Sequence, residues 1–200
     1  MLAAAHAGYL PALRTMIRTA AAEGSFDREL AQDSPEVQHF FANLRQALVT
    51  GYFVEQDSNG HGHPVAAPGY VYWPEDRRAD EKPVGFGVFK AFAEFGYELW
   101  LTGVDSSWRR AGHGRRMLGA LLATPAGRLA WTVRVQRSSA SSAIMTRLLA
   151  EHGYTVAREG VTQAWFLRHD APPTLAARMR SARIVARPTD HDTTDHPPRR

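Results

Sequence analysis

The segment over residues 97–122 combines an apolar strand pattern, a glycine-bearing loop and an amphipathic helix pattern. The loop contains Gly112 and Gly114, whose lack of a Cβ lets backbone N–H groups turn inward and come close to a ligand. A helix that begins here adds its free N-terminal amides and the positive end of its dipole. Four arginines add positive charge around the loop, namely Arg109, Arg110, Arg115 and Arg116. This order of strand, loop and helix predicts a mixed α/β fold with a pyrophosphate-binding site where the strand meets the helix.

The spacing of the glycines excludes two other phosphate-binding loops. A dinucleotide-binding fingerprint requires a third small residue at position 117, where this chain has Met117. A Walker loop requires Gly-Lys-Ser or Gly-Lys-Thr, and no lysine lies near these glycines. The pattern that remains is Arg109-x-x-Gly112-x-Gly114, directly after a strand.

This pattern resembles the acetyl-CoA pyrophosphate loop of the GNAT family of N-acetyltransferases, whose motif reads Gln/Arg-x-x-Gly-x-Gly/Ala. The resemblance covers about residues 8–169 and is tight over 84–154. It implies an α/β (α+β) GNAT acyl-CoA acyltransferase fold. In that fold a central mixed, mostly antiparallel twisted sheet is flanked by helices, and two parallel strands splay apart at the cofactor site. The resemblance also implies acetyl-CoA (coenzyme A) as the cofactor.

The family motif, carried over position by position, also implies a set of cofactor-binding residues. The pantetheine arm is expected to run beside the strand that ends at Val104, and the phosphates are expected on the glycine loop. Position 142, where the family often has Asn, is Ser142 here. The implied cofactor-binding residues are Thr102, Gly103, Val104, Arg109, Arg110, Ala111, Gly112, His113, Gly114, Arg115 and Ser142.

Glu98 is the candidate general base. It is the only acidic residue in the apolar strand 97–104, and it lies eleven residues before Arg109. The resemblance gives the base role to a glutamate at this spacing, because histone-acetylating members of the family have their catalytic glutamate there. A carboxylate in a partly buried cleft suits proton removal from an ammonium group. The alternative interpretation is a solvated or salt-bridged glutamate near the start of a strand.

The group that protonates the departing thiolate is the point where the chain departs from the family. Family members often have a tyrosine four residues before the glycine that ends the second motif helix, and this chain has Leu149 there. Tyr154 is the substitute that we predict as a catalytic residue, and Ser138, Ser139 and Ser141 are further candidates. A coenzyme A thiolate can also leave unprotonated and take a proton from water.

The element order predicts one GNAT-like domain over residues 1–170, with a helical acceptor-side region over 8–50 and a cofactor core over 84–169. The residues from Ala171 to Arg200 are rich in Pro, Arg and Asp, which predicts a disordered basic tail. Within it, 174–185 is a candidate for a short basic helix that forms on meeting a partner.

Periodicity and turn residues place the individual elements. Ser34 and Pro35 predict the start of the second helix, and Gly51 predicts its end. GNAT proteins commonly open with a strand, but none is predicted before Gly8, so that sheet edge is absent or supplied by another chain. A mobile loop is predicted for 55–68. The predicted helices are 8–22, 35–50, one after the glycine loop, and 138–152; the predicted strands are 69–73, 84–92, 97–104, 129–135 and 162–168.

The composition predicts a soluble globular protein and argues against membrane-spanning, disulfide-bonded and metal-binding classes. The apolar share of 44% and the charged share of 22% are typical of a soluble globular protein, and no apolar run approaches the ~18 residues of a membrane span. The absence of cysteine excludes disulfides and thiolate metal sites. We expect a cytoplasmic protein that binds no metal, because the remaining metal-type residues lie in loop and tail sequences without fixed geometry, namely His61, His63, His191 and His196. His113 is expected to face solvent or phosphate.

Positive charge is concentrated in residues 105–150, which contain eight arginines and one acidic residue, Asp105. Such charge favours a phosphate-bearing ligand. The leading prediction is therefore an N-acetyltransferase that transfers an acetyl group from acetyl-CoA to a primary amine of a small molecule, a protein or an aminoacyl-tRNA. The alternatives are a non-catalytic acyl-CoA-binding module and a nucleic-acid-associated protein that acts through the arginine-rich surface and tail. The basic tail could contact nucleic acid or protein, and the chain could form a homodimer.

Overall fold

The structure is a computed structural model that describes residues 1–56, 59–75, 81–92, 96–137, 139 and 141–181. The candidate Ser138 lies outside the described residues. The helices are α1 (Leu10–Ala22), α2 (Pro35–Thr50), α3 (His113–Ala123), α4 (Pro125–Arg128), α5 (Ser142–Glu151) and α6 (Pro173–Ser181). The strands are β1 (Leu2–Ala4), β2 (Tyr52–Gln56), β3 (Gly62–Ala66), β4 (Gly69–Tyr72), β5 (Gly85–Ala91), β6 (Tyr97–Val104), β7 (Ala130–Gln136), β8 (Tyr154–Glu159) and β9 (Gln163–Arg168).

A seven-stranded sheet in the order β1-β4-β5-β6-β7-β9-β8 forms the centre of the molecule. Its neighbouring strands are antiparallel except for β6 and β7, which run parallel. Two apolar clusters cover the sheet: α1 and α2 pack on one face, and α3 and α5 pack on the other. The predicted fold, a mostly antiparallel mixed sheet flanked by helices, is confirmed.

Helix α2 begins and ends where its sequence predicts. The Ser34 hydroxyl accepts a hydrogen bond from the Val37 N–H at 3.3 Å, which satisfies a free amide of the first turn. At the other end, Gly51 has φ +78° and its N–H donates to the Ala47 carbonyl. Because glycine adopts this left-handed conformation without steric cost, it terminates the helix. None of the helices in the described ranges is long and apolar enough to cross a membrane.

The prediction that no strand precedes Gly8 is wrong. Strand β1 pairs antiparallel with β4, with Leu2 opposite Tyr72 and Ala4 opposite Tyr70. The N-terminal ammonium of Met1 extends this contact by donating to the Trp73 carbonyl at 2.7 Å. A three-residue strand is too short to show a period-two pattern, so its pairing partner alone identifies it.

Three further strands, β2, β3 and β8, fall where the sequence analysis predicted none. The predicted mobile loop 55–68 contains part of a hairpin, in which β2 pairs antiparallel with β3 and Glu55 lies opposite His63. Asn59-Gly60 and His61-Gly62 therefore lie at the end of a hairpin and not in a long loop. Strand β8 lies at the outer edge of the sheet, where most of its residues are exposed or half-buried. An exposed edge strand lacks the apolar run by which strands are recognised.

The prediction that no packed structure follows Ala171 is wrong for the residues that the structure describes. Helix α6 places the side chains of Leu175 and Met179 against the sheet near Trp131 and Trp165. Leu175 is fully buried. Leu175 and Met179 are the two buried apolar side chains of α6, and so few were concealed by the average composition of the segment. Residues 182–200 of the predicted tail lie outside the described residues.

Leu175→Ala should lower the free energy of unfolding by about 2–5 kcal/mol, because it removes buried apolar surface and leaves a cavity. Chemical denaturation followed by circular dichroism measures this. Thr174→Ala is the matched control: Thr174 lies on the same helix but is exposed, so its change should stay within about 0.5 kcal/mol. Equal effects of the two substitutions would contradict the packing of α6.

Candidate active site

Strands β6 and β7 lie side by side at one end and part at the other. Their parallel pairing runs from Tyr97 opposite Ala130 to Leu99 opposite Val133 and goes no further. On its other edge, β6 carries a bulge, because Leu99 and Leu101 face consecutive residues of β5. A bulge bends its strand and increases its twist. The splayed parallel strands are therefore present, and a cavity of about 1220 Å³ opens beside them.

The glycine loop lies at the end of this cavity where β6 ends. Gly112 has φ +76° at the N-cap position of α3. Arg110 also has a positive φ, of +66°, which is uncommon for a residue with a side chain. This backbone turns the chain sharply from the strand into the helix. Gly112 and Gly114 line the cavity, so the N-terminal end of α3 faces the space in which a ligand would lie.

Two arginines of the loop are held by carboxylates from the neighbouring walls. Arg109 forms an ion pair with Glu23, the residue that directly follows α1, and Arg109 Nε donates to the Val104 carbonyl at 3.3 Å. Arg115 forms an ion pair with Glu151 at the end of α5. All four side chains are at least a third exposed, so these pairs are weak and an incoming phosphate can replace the carboxylates.

Most of the predicted cofactor residues line the cavity, and three do not. Ala111, His113 and Ser142 lie outside the lining. The expectation that His113 faces solvent or phosphate is wrong, because its side chain is buried, with ring centroids 5.4 Å from Trp108 and 6.2 Å from Tyr72. Those that line the cavity are Thr102, Gly103, Val104, Arg109, Arg110, Gly112, Gly114 and Arg115.

The hydroxyl groups that line the cavity near Ser142 belong to two neighbouring serines rather than to Ser142, which was predicted. Ser142 opens helix α5, and its N–H donates to the Ser139 carbonyl at 2.9 Å. Ser139 and Ser141 line the cavity instead, and their hydroxyls are 2.6 Å apart. Ser139 Oγ also donates to Ser25 Oγ at 3.3 Å, which joins the segment after α1 to the segment after β7. The sequence offered a run of serines here without a signal to choose among them.

Tyr154 does not lie in the cavity. Its side chain is buried in the core, and its hydroxyl donates to the Ala130 carbonyl at the start of β7. Burial raises the pKa of Tyr154 to about 12. The geometry therefore gives Tyr154 a structural role and corrects the prediction that it is a catalytic residue.

Glu98 lies on the face of the sheet that α1 and α2 cover. Its neighbour Leu99 packs into the opposite core, and side chains alternate along a strand. The carboxylate is only 5% exposed and accepts a hydrogen bond from Nε of Arg134 on β7. The salt-bridged alternative for this residue is thus the observed arrangement. Glu98 itself lies outside the cavity lining, and its partner Arg134 belongs to it.

Several cavity residues on this face were missed by the sequence analysis. Strand β7 contributes the consecutive residues Val133, Arg134, Val135 and Gln136 to the lining, and no motif in the sequence marked them. Gln136 Nε2 donates to Asp27 in the segment between α1 and α2. Four apolar side chains complete the wall, namely Phe26, Leu30, Phe40 and Trp100. Among the residues that the structure describes, no group of three or more His, Asp or Glu could hold a metal ion.

Residues 28–154 match the family model described as the acetyltransferase (GNAT) family. The chain belongs to this family. The match spans α2, the bulged strand β6 and the glycine loop, and it begins after α1. Among curated proteins, no sequence matches the chain.

Solved structures support the same fold. The chain is similar to a PaiA N-acetyltransferase from Thermoplasma acidophilum in complex with coenzyme A, with 14% identity, TM-score 0.53 and coverage of 84% of this chain and 97% of that one. It is also similar to ribosomal-protein-alanine N-acetyltransferase from Brucella melitensis, with 19% identity, TM-score 0.55 and coverage of 83% and 97%. A third is diaminobutyrate acetyltransferase EctA from Paenibacillus lautus, with 18% identity, TM-score 0.52 and coverage of 84% and 92%. At these identities the likeness shows the fold alone.

Proposed function

We propose that this GNAT protein transfers an acetyl group from acetyl-CoA to a primary amine. The observation that carries the proposal is the cavity between the splayed strands, which opens onto the glycine loop at the start of α3. In this proposal the phosphates bind at the end of the cavity formed by the glycine loop. The acceptor binds at the other end, which is lined by both polar and apolar side chains. When bound, acetyl-CoA supplies a thioester-activated acetyl group.

The residues of the loop fit a pyrophosphate. A Cβ added at Gly114 would meet only Val104 Cγ2, at 4.0 Å, so the space in front of this glycine is free of protein. The first amides of α3 and the guanidinium groups of Arg109, Arg110 and Arg115 would hold the phosphates there. From Leu101 to Val104, β6 pairs with β5 but not with β7, so its β7-facing edge offers backbone groups to the rest of the cofactor.

Glu98 is the residue that we propose as the general base. An alkylammonium acceptor must lose a proton before its nitrogen can attack, and a carboxylate beside the cavity can take it. Because Glu98 is almost completely buried, the proton passes through a water molecule in this scheme. The hydrogen bond from Arg134 orients the carboxylate. For the departing thiolate, the hydroxyl pair Ser139–Ser141 is the candidate donor on the cavity wall.

Incubation of the protein with acetyl-CoA and a cell extract, followed by mass spectrometry of acetylated amines, tests the proposed function. Acetyl-CoA-dependent labelling of an amine above the level of a Gly114→Val control supports it. Coenzyme A binding without any acetylated product would favour the non-catalytic binding module. RNA binding that weakens steeply as salt rises would favour the nucleic-acid alternative.

Two substitutions at the mouth of the cavity should change coenzyme A affinity in opposite directions. Arg109→Ala should weaken binding by about 1–3 kcal/mol, because a charge-assisted hydrogen bond to phosphate is lost. Glu23→Gln should tighten binding, by at most about fivefold, because it removes a competing and repelling charge from an exposed pair. Calorimetric titration measures both. Arg128→Ala is the control, because Arg128 lies on α4 outside the cavity lining; weaker binding by Glu23→Gln would contradict the competition.

A further inference from the structure

Arg134 presents unused hydrogen-bond donors to the acceptor side of the cavity. Its Nε donates to Glu98, and within the described part of the chain its two terminal nitrogens have no hydrogen-bond partner. The side chain is 32% exposed and lines the cavity. A guanidinium carries five N–H donors in a planar fork that matches a carboxylate. An arginine–carboxylate pair that serves only stability is strongest when two parallel N–H···O bonds form. Arg134 bonds Glu98 through Nε alone, which leaves its two terminal nitrogens free to bond a group in the cavity.

The acids around this space are already engaged. Asp27 accepts from Gln136, two residues further along the same strand, and Glu23 is paired with Arg109. The fork of Arg134 thus remains available to an anion that enters with the acceptor. Its position on β7, between Thr132 and Gln136, places it beside the cavity wall and not on the glycine loop.

The rest of the acceptor wall is apolar. Phe40 and Trp100 lie edge to face with ring centroids 5.7 Å apart, and Phe53 stacks on Trp100 at 5.4 Å. Phe26 and Leu30 extend the wall from the segment after α1. Such a surface gains free energy by covering an apolar side chain.

We propose that the acceptor is an amino-acid-type primary amine: it carries a free carboxylate close to the nitrogen and an apolar or aromatic side chain. Resting on the proposed function, this inference names its acceptor class and makes Arg134 the specificity-determining residue. The carboxylate lies on the terminal nitrogens of Arg134, the amine lies toward Glu98, and the side chain lies on the aromatic wall. The negative Glu98 then matches the ammonium group of a zwitterionic acceptor, and the positive Arg134 matches its carboxylate.

The transfer step balances within this arrangement. The ammonium group gives one proton to Glu98 through water, and the nitrogen lone pair forms a bond to the thioester carbonyl carbon. As this bond forms, the carbonyl π electron pair moves to oxygen; it returns when the carbon–sulfur bond breaks and that bond's electron pair leaves with the thiolate. The second proton of the nitrogen passes to the thiolate through the Ser139–Ser141 hydroxyls or water, so that the products are a neutral amide and the coenzyme A thiol. The carboxylate on Arg134 takes no part in bond changes, so its contribution is to hold the amine in place.

Matched acceptor pairs test the proposal through kcat/KM. L-phenylalanine and phenethylamine differ only in the carboxylate, and L-phenylalaninamide keeps the shape without the charge. We expect the wild type to prefer L-phenylalanine over both by about 10-fold or more, mainly in KM, as for a charge-assisted bidentate contact. In Arg134→Gln the preference should fall to about one, and Arg134→Lys, which keeps the charge without the fork, should retain part of it.

The ratio of the two acceptors isolates the carboxylate, because any effect of Arg134→Gln on Glu98 acts on both amines equally. Acetylation of all three amines at equal efficiency, or an unchanged preference in Arg134→Gln, would overturn the proposal while leaving the acetyltransferase function intact. Calorimetry with N-acetyl-L-phenylalanine and N-acetylphenethylamine gives a readout without turnover. Binding of the former alone, lost in Arg134→Gln, supports the carboxylate site even if no amine is acetylated, in which case the proposed function fails instead.

Discussion

Glu98→Gln should lower turnover by about 10²–10⁴-fold at neutral pH, the range that general-base help contributes. The amide keeps the shape of the side chain and its contact with Arg134 but cannot take a proton. Coenzyme A affinity should stay nearly unchanged, because Glu98 lies outside the phosphate end of the cavity. The loss should shrink as pH rises, since the free amine becomes abundant and needs no base. Steady-state kinetics across a pH series measures the turnover and its pH dependence, and calorimetric titration measures the coenzyme A affinity.

A matched control separates this effect from the loss of an ion pair. Glu55 is also a strand glutamate paired with a basic residue, since Lys90 Nζ lies 2.7 Å from its Oε1, but Lys90 does not line the cavity, whereas Arg134, the partner of Glu98, does. Glu55→Gln should leave turnover at the wild-type level. Near-normal turnover of Glu98→Gln at neutral pH would show that the base lies elsewhere, or that the enzyme selects the neutral amine from solution.

Gly114→Val should abolish measurable coenzyme A binding while the protein stays folded. The branched side chain would enter the space in front of the α3 amides and block the approach of a phosphate. The substitution meets little protein, because the nearest atom to an added Cβ is Val104 Cγ2 at 4.0 Å. Calorimetric titration with coenzyme A, with the melting temperature measured alongside, tests this. Gly112→Val should also abolish binding, but its φ of +76° adds backbone strain, so Gly114 is the cleaner position.

Gly114→Ala is the control for this experiment. The family motif accepts alanine at this position, and the structure has room for a Cβ, so binding should persist. Unchanged affinity of a folded Gly114→Val protein would remove the loop from the cofactor site. Equal loss in Gly114→Ala and Gly114→Val would instead point to a requirement for glycine backbone freedom in α3.

Local signals in the sequence predicted the elements that position the site. Ser34 and Gly51 marked the ends of α2, and the strand 97–104 agrees with β6 to the residue. Each of these depends on neighbouring residues alone: a cap, a left-handed glycine or an apolar alternation. The elements that were missed lack such signals. Strand β1 has three residues, β8 is exposed at a sheet edge, and α6 buries two apolar side chains, Leu175 and Met179.

The sequence predicted the positions of polar side chains near the site less well than it predicted these elements. Family spacing suggested Ser142, and Tyr154 was predicted as the substitute for the tyrosine that Leu149 replaces; yet Tyr154 points into the core and Ser142 lies outside the cavity lining. Arg134 had no motif to mark it, although it pairs with Glu98 and lines the cavity. Spacing along the chain measures position on a helix or strand, but the direction of a side chain also depends on register and on the elements packed against it.

The sequence by itself determined the strand–loop–helix unit, because the left-handed turn at Gly112, the exposed amides of α3 and the flanking arginines all arise within one short segment. Only the tertiary structure decided how the acceptor side is composed. Asp27 and Gln136 meet across 109 positions, and Glu98 and Arg134 meet across 36. Such contacts exist because β6 and β7 pair in parallel and α1 packs over them. Their geometry is therefore a property of packing between distant segments, which no local pattern encodes.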